Sequence, residues 1–139
     1  MKIIVFGCQQ IAVDFISFLN SRKDIQLEIV YTYELPMDEI YGYSSVIDFC
    51  KENNIKYSSQ FGKKVISEIK EANPDIIFSV YYRKILSIEI LNIPRLGCIN
   101  IHPGLLPDYK GPAPTAWALL NNEKEVGLTI HYMGQGIDT

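Results

Sequence analysis

Apolar positions along this chain follow two different periods in turn. Residues 2–7, KIIVFG, are a short apolar run closed by glycine, the pattern of a strand buried on both faces. From 10 to 21, Ile11, Val13, Phe15, Ile16, Phe18 and Leu19 recur at helical spacing. QLEIVYTY (26–33) begins by alternating and is rich in branched and aromatic residues, which predicts a second strand. Ser44 or Ser45 can cap a helix running through SVIDFCKEN, and residues 55–57 suit a short third strand. FGKKVISEIKEA (61–72) puts Val65, Ile66 and Ile69 on one helical face. DIIFSVY (75–81), GCINIH (97–102) and GLTIHYM (127–133) read as three more strands, and a helix over 114–121 opens on Pro114. This alternation predicts an α/β fold: a Rossmann-like open, mostly parallel sheet with helices on both faces.

Composition narrows the class without naming a chemistry. With 139 residues, 47% hydrophobic and 21% charged, the chain suits one domain with a sizeable core. No apolar run approaches the ~20 residues of a membrane span, and MKIIVFG lacks the features of a signal peptide. Cys8, Cys50 and Cys98 are isolated and free of metal-ligand spacing, which predicts reduced thiols and a cytoplasmic location. A net charge of −3 and the lack of a basic cluster argue against nucleic acid as a partner. Two histidines without a Cys/Asp cluster argue against a metal site.

Ligands of open α/β sheets bind beyond the carboxyl ends of the strands. The loops there carry YYRKIL (81–86), NIHPGLLP (100–107) and GQGID (134–138). Asn100 and His102 stand two apart at a strand end, so their side chains leave on one side. Asp138 lies beyond a strand that can pair beside theirs. An amide donor, an imidazole and a carboxylate together suit acyl-group transfer: the amide stabilises an oxygen anion, the histidine moves a proton and the carboxylate fixes its tautomer. Prolines stiffen the connecting loop. The same residues also fit an ordinary strand end followed by a turn, and spacing does not separate the two readings. His131, within TIHYM, and Trp117 read as structural, the latter as packed core.

The stretch NIHPGLLPDYKGPAPTAWAL, followed downstream by GIDT, closely resembles the 10-formyltetrahydrofolate-dependent formyltransferases. That family includes methionyl-tRNA formyltransferase, glycinamide ribonucleotide transformylase and the sugar N-formyltransferases. The resemblance implies a catalytic trio of Asn100, His102 and Asp138, with 10-formyltetrahydrofolate as formyl donor and no metal. It implies donor contacts from Arg83, Lys84, Ile85 and Leu86, from Gly104, Leu105, Leu106 and Pro107, and from Gln135, Gly136 and Ile137. Asp108, Tyr109 and Lys110 become acceptor-side candidates.

Among acceptors, charge favours a small molecule. The segment ELPMDEIYGY (34–43) has three carboxylates and no Lys or Arg, where the tRNA enzyme would carry a basic loop. FGCQQIA has only Gly7, a poor version of a glycine-rich phosphate-binding turn, and it lacks the G-x-G-x-x-G of a dinucleotide-binding domain. APTAWALLNNE looks more like the sugar enzymes. The expected acceptor is therefore a nucleotide-linked amino sugar, such as a dTDP- or UDP-4-amino-4-deoxyhexose or a 3-amino relative, whose product feeds cell-surface polysaccharide synthesis. A methionyl-tRNA or glycinamide ribonucleotide acceptor, a dinucleotide-binding domain and a non-catalytic fragment are the alternatives. The family pattern continues past the aspartate, so residues 1–139 are expected to be the N-terminal part of a catalytic domain, weakly active or inactive alone. Association into a homodimer is compatible with the apolar content.

Overall fold

The computed structural model describes residues 1–34 and 44–138. Residues 35–43 of the acidic segment therefore lie outside the described residues. Six strands form one sheet in the order β3-β2-β1-β4-β5-β6. They are β1 (Lys2–Gly7), β2 (Gln26–Tyr31), β3 (Tyr57–Ser58), β4 (Ile76–Val80), β5 (Cys98–His102) and β6 (Thr129–Tyr132). The first five pair in parallel, and β6 runs antiparallel to β5.

The alternation of Cβ directions along β1 builds two cores. Ile3 and Val5 face α1 (Gln9–Asn20) and α2 (Val46–Glu52), packing with Ala12, Val13, Ile16, Val46 and Cys50. Ile4 and Phe6 face the other way, toward Val65 and Ile69 of α3 (Lys63–Ala72) and Ile90 of α4 (Ile88–Leu91). Helices thus cover both faces, as the apolar runs require. Each fully buried aliphatic side chain contributes about 1.5–3 kcal/mol. Gly7 permits the tight β1–α1 entry, since a Cβ there would lie 2.8 Å from Ala12 Cβ.

Local signals explain the boundaries. Ser45, of the two candidate serines, caps α2 by accepting the Asp48 N–H at 3.2 Å. Asn73 ends α3 in the left-handed conformation, ahead of Pro74. The third strand begins two residues later than its sequence pattern, at Tyr57, and Ile55 ahead of it is buried in the core. Helix α4 is the short crossover between β4 and β5 and has no counterpart in the sequence reading. Trp117 corrects an expectation. It lies on α5 (Pro114–Leu120), which turns Pro114 and Ala118 inward and leaves the indole 58% exposed.

Candidate active site

A cleft of about 750 Å³ opens at the carboxyl ends of β1, β4 and β5. That position is where the strand order reverses about β1, the place an open α/β sheet offers a ligand. Asn100, His102 and Asp138 line it, together with Arg83, Lys84, Ile85, Gly136 and Ile137. The other candidates lie elsewhere. Leu86 is buried in the core below the loop, at 2% exposure. Gly104, Leu105 and Tyr109 border a separate shallow depression beside Val126 and Gly127. Leu106, Pro107, Asp108, Lys110 and Gln135 are outside the cleft lining, and the Leu106–Pro107 peptide is cis.

Asp138 is the hub of the polar groups. Its Oδ1 accepts from Asn100 Nδ2 at 3.1 Å, and its Oδ2 accepts from Gly111 N at 2.8 Å. The same Oδ2 lies 3.4 Å from His102 Nδ1, with both side chains nearly buried. The opposite ring nitrogen, His102 Nε2, is 2.6 Å from Tyr109 O. A carbonyl can only accept, so Nε2 carries a hydrogen and donates it. The imidazole is thereby gripped between the loop that follows it and the carboxylate. Through this carbonyl Tyr109 acts on the site without touching the cleft, while its hydroxyl donates outward to Glu123 at 2.6 Å.

Strand β6 supplies a supporting layer. Its antiparallel register sets Thr129 opposite His102 and His131 opposite Asn100. Thr129 Oγ1 donates to Gly104 O at 2.7 Å and accepts from Leu106 N at 3.1 Å, which holds the turn after His102. His131 Nε2 lies 3.3 Å from Asn100 Nδ2 and 3.9 Å from Asp138 Oδ1. The sequence alone reads His131 as a structural residue. The available signal was parity: on a strand paired with β5, Thr129 and His131 share one face.

Backbone strain concentrates here as well. Gln9, Tyr81, Ala113 and Asp138, all on the cleft wall, have φ of 66°, 54°, 54° and 47°. These are left-handed conformations that disfavour any side chain with a Cβ. The non-glycine residues described with such φ outside the cleft, Asn54, Asn73 and Asn122, are all asparagines, the type that tolerates it best. Aspartate tolerates this conformation much as asparagine does, but Gln9, Tyr81 and Ala113 are unsuited to it, and strain held at one cleft by such residues points to function.

The loop at residues 81–86 is clamped from beside the cleft. Tyr33 stacks on Tyr82 with centroids 5.0 Å apart, and its hydroxyl accepts the Arg83 N–H at 2.8 Å. Lys84 Nζ sits 4.7 Å from the Phe61 ring centroid and 5.5 Å from that of Tyr33. Burial pushes the Tyr33 and Tyr82 phenols up, so both remain neutral hydroxyls. Among the described residues no three His, Cys, Asp or Glu side chains gather in a group that could hold a metal ion. No helix among them is long and apolar enough to cross a membrane.

Comparison with known proteins agrees with this architecture. A family model described as "Formyl transferase" matches residues 1–139. The methionyl-tRNA formyltransferase of Clostridioides difficile is 39% identical over 144 residues, covering 100% of this chain and 47% of that protein. The chain thus spans about half the length of that relative. Among solved structures, phosphoribosylglycinamide formyltransferase from Bacillus halodurans superimposes with a TM-score of 0.79 at 22% identity, covering 100% of this chain and 75% of that one. A 4-N formyltransferase from Francisella tularensis gives a TM-score of 0.70 at 27% identity, covering 99% and 52%. With the family pattern running the length of the chain and the same fold beneath it, this protein belongs to the formyltransferase family.

Proposed function

We propose that this protein transfers the formyl group of 10-formyltetrahydrofolate to a primary amine, and that residues 1–139 are the N-terminal part of the catalytic domain that does so. The observation that carries the reading is the convergence of Asn100 and His102 on Asp138, at 3.1 Å and 3.4 Å, on the wall of one cleft. A cleft of about 750 Å³ falls in the range that holds a drug-sized molecule. The wall formed by Arg83, Lys84, Ile85, Gly136 and Ile137 is the donor side in this reading.

The chemistry asked of the residues is modest. As the amine attacks the formyl carbon, its oxygen gains negative charge, and an Asn100 N–H stabilises it. A C–N bond forms to the acceptor and the bond to the donor nitrogen breaks. The proton lost by the amine must reach that departing nitrogen. His102 can take it at Nδ1, the nitrogen left bare while Nε2 donates to Tyr109 O, and the Asp138 carboxylate beside Nδ1 stabilises the imidazolium until the proton is passed on. The products are a formamide and tetrahydrofolate, with atoms and charge in balance.

For the acceptor we favour a nucleotide-linked amino sugar, because residues 34–43 are acidic and the net charge is −3. The 39% identity to a methionyl-tRNA formyltransferase supports methionyl-tRNA as a second reading. Parallel assays with a 4-amino-4-deoxyhexose nucleotide and with initiator methionyl-tRNA discriminate the two. Asn100→Ala and His102→Ala should each lower kcat by roughly 10²–10³. Unchanged turnover in both variants would overturn the assignment of roles.

A further inference from the structure

Asn100 is held from two sides, and the two partners do different things. Asp138 Oδ1 lies 3.1 Å from one end of the amide and can only accept, so that end is the nitrogen. The same nitrogen is 3.3 Å from His131 Nε2. An N–H cannot donate into another N–H, so Nε2 must be bare and the ring hydrogen sits on Nδ1. Nδ1 in turn lies 3.0 Å from Tyr132 O, a carbonyl of its own strand, which takes that hydrogen. One tautomer satisfies both hydrogen bonds, and the remaining neighbour of Nε2, Asp138 Oδ1 at 3.9 Å, is beyond hydrogen-bonding reach. The imidazole is fixed at both nitrogens, and its side chain is only 15% exposed, so water does not readily replace it.

We propose that His131 is the positioning residue for the Asn100 amide, a role that rests on the formyl-transfer reading for its catalytic meaning. His131 retains one amide hydrogen and fixes the plane of the group. The other hydrogen, which rests on the Asp138 carboxylate, is the one released to a substrate oxygen. The carboxylate therefore occupies the donor direction that the reacting oxygen needs, and His131 keeps the amide from turning when the exchange happens.

The test joins a spectroscopic and a kinetic measurement on the intact protein. ¹⁵N spectra of labelled histidine should show His131 protonated at Nδ1 and bare at Nε2. His131→Leu, which fills space without an acceptor, should free the Asn100 side-chain amide to rotate. It should lower kcat roughly tenfold, the size of one ordinary hydrogen bond, with KM for the formyl donor within about twofold. His131→Gln offers an oxygen near the place of Nε2 and should recover most of the loss. A protonated Nε2, a Leu variant at full kcat, or equal losses in both variants would overturn the proposal. A wild-type protein that formylates no amine defeats the functional reading instead, and the tautomer and the Asn100 amide signal then decide the positioning role alone.

Discussion

Gly104 stands two residues after His102, and its φ lies outside the left-handed range, so what it supplies is room. A Cβ built there would lie 2.6 Å from Tyr109 O, 2.7 Å from Pro114 Cβ and 2.8 Å from His102 Nε2. Two of these atoms are the partners of the bond that grips the imidazole. Gly104→Ala must therefore push backbone, a proline ring and the histidine apart together, and the Nε2–carbonyl bond is lost. Overpacking costs about 1–3 kcal/mol and the broken hydrogen bond ~1 kcal/mol, which gives about 2–4 kcal/mol by urea denaturation. A shift of His102 by ~1 Å should lower formyl transfer on the order of 10²-fold. Gly127→Ala is the internal control. Its Cβ would meet Leu105 Cδ2 at 2.7 Å, but Leu105 is 43% exposed and can swing aside. That substitution should cost less than ~1 kcal/mol. If both variants unfold at the same urea concentration, the close-packing argument is wrong.

Three other outcomes are expected. Thr129→Val leaves Gly104 O and Leu106 N without their hydroxyl partner, and should cost about 1–3 kcal/mol of stability in thermal or urea unfolding. Tyr33→Phe removes the acceptor of the Arg83 N–H; titration with 5-formyltetrahydrofolate should show affinity reduced roughly five- to tenfold, with stability nearly unchanged. Glu68 is held below the ordinary carboxylate range by the Tyr31 hydroxyl first and by Lys56 next, against partial burial. Its contribution to stability is thus complete above the unfolded value near 4.5 and is lost as pH falls through the lower folded value. The urea midpoint should drop over that acid window, and Glu68→Gln should flatten the drop.

The strands of the sheet centre were legible because burial on both faces leaves apolar runs such as IIVF and DIIF with no competing period. Helices α1 and α3 were legible for the converse reason, each having one wet face. Helix α4 was not, since a four-residue turn is too short to express a helical period. The exposure of Trp117 was missed because a large apolar residue carries no mark of which face its helix buries. Within the site, Asn100 and His102 announced themselves by strand parity and by the loop after them. His131 and Thr129 did not, because their meaning depends on β6 pairing antiparallel to β5, a fact of tertiary register. The carbonyl of Tyr109 was invisible in principle, as every residue has one and only the path of the chain selects it.

The left-handed residues around the cleft have a consequence for how this protein can change. At ~1–2 kcal/mol each, Gln9, Tyr81 and Ala113 together withhold a sizeable part of the 5–15 kcal/mol typical of a folded domain. Glycine at Gln9, Tyr81 or Ala113 relieves that deficit locally while loosening the walls. Selection for heat resistance alone would therefore erode the cleft first, and a lineage that stopped using it would be free to accumulate glycine or asparagine at these positions.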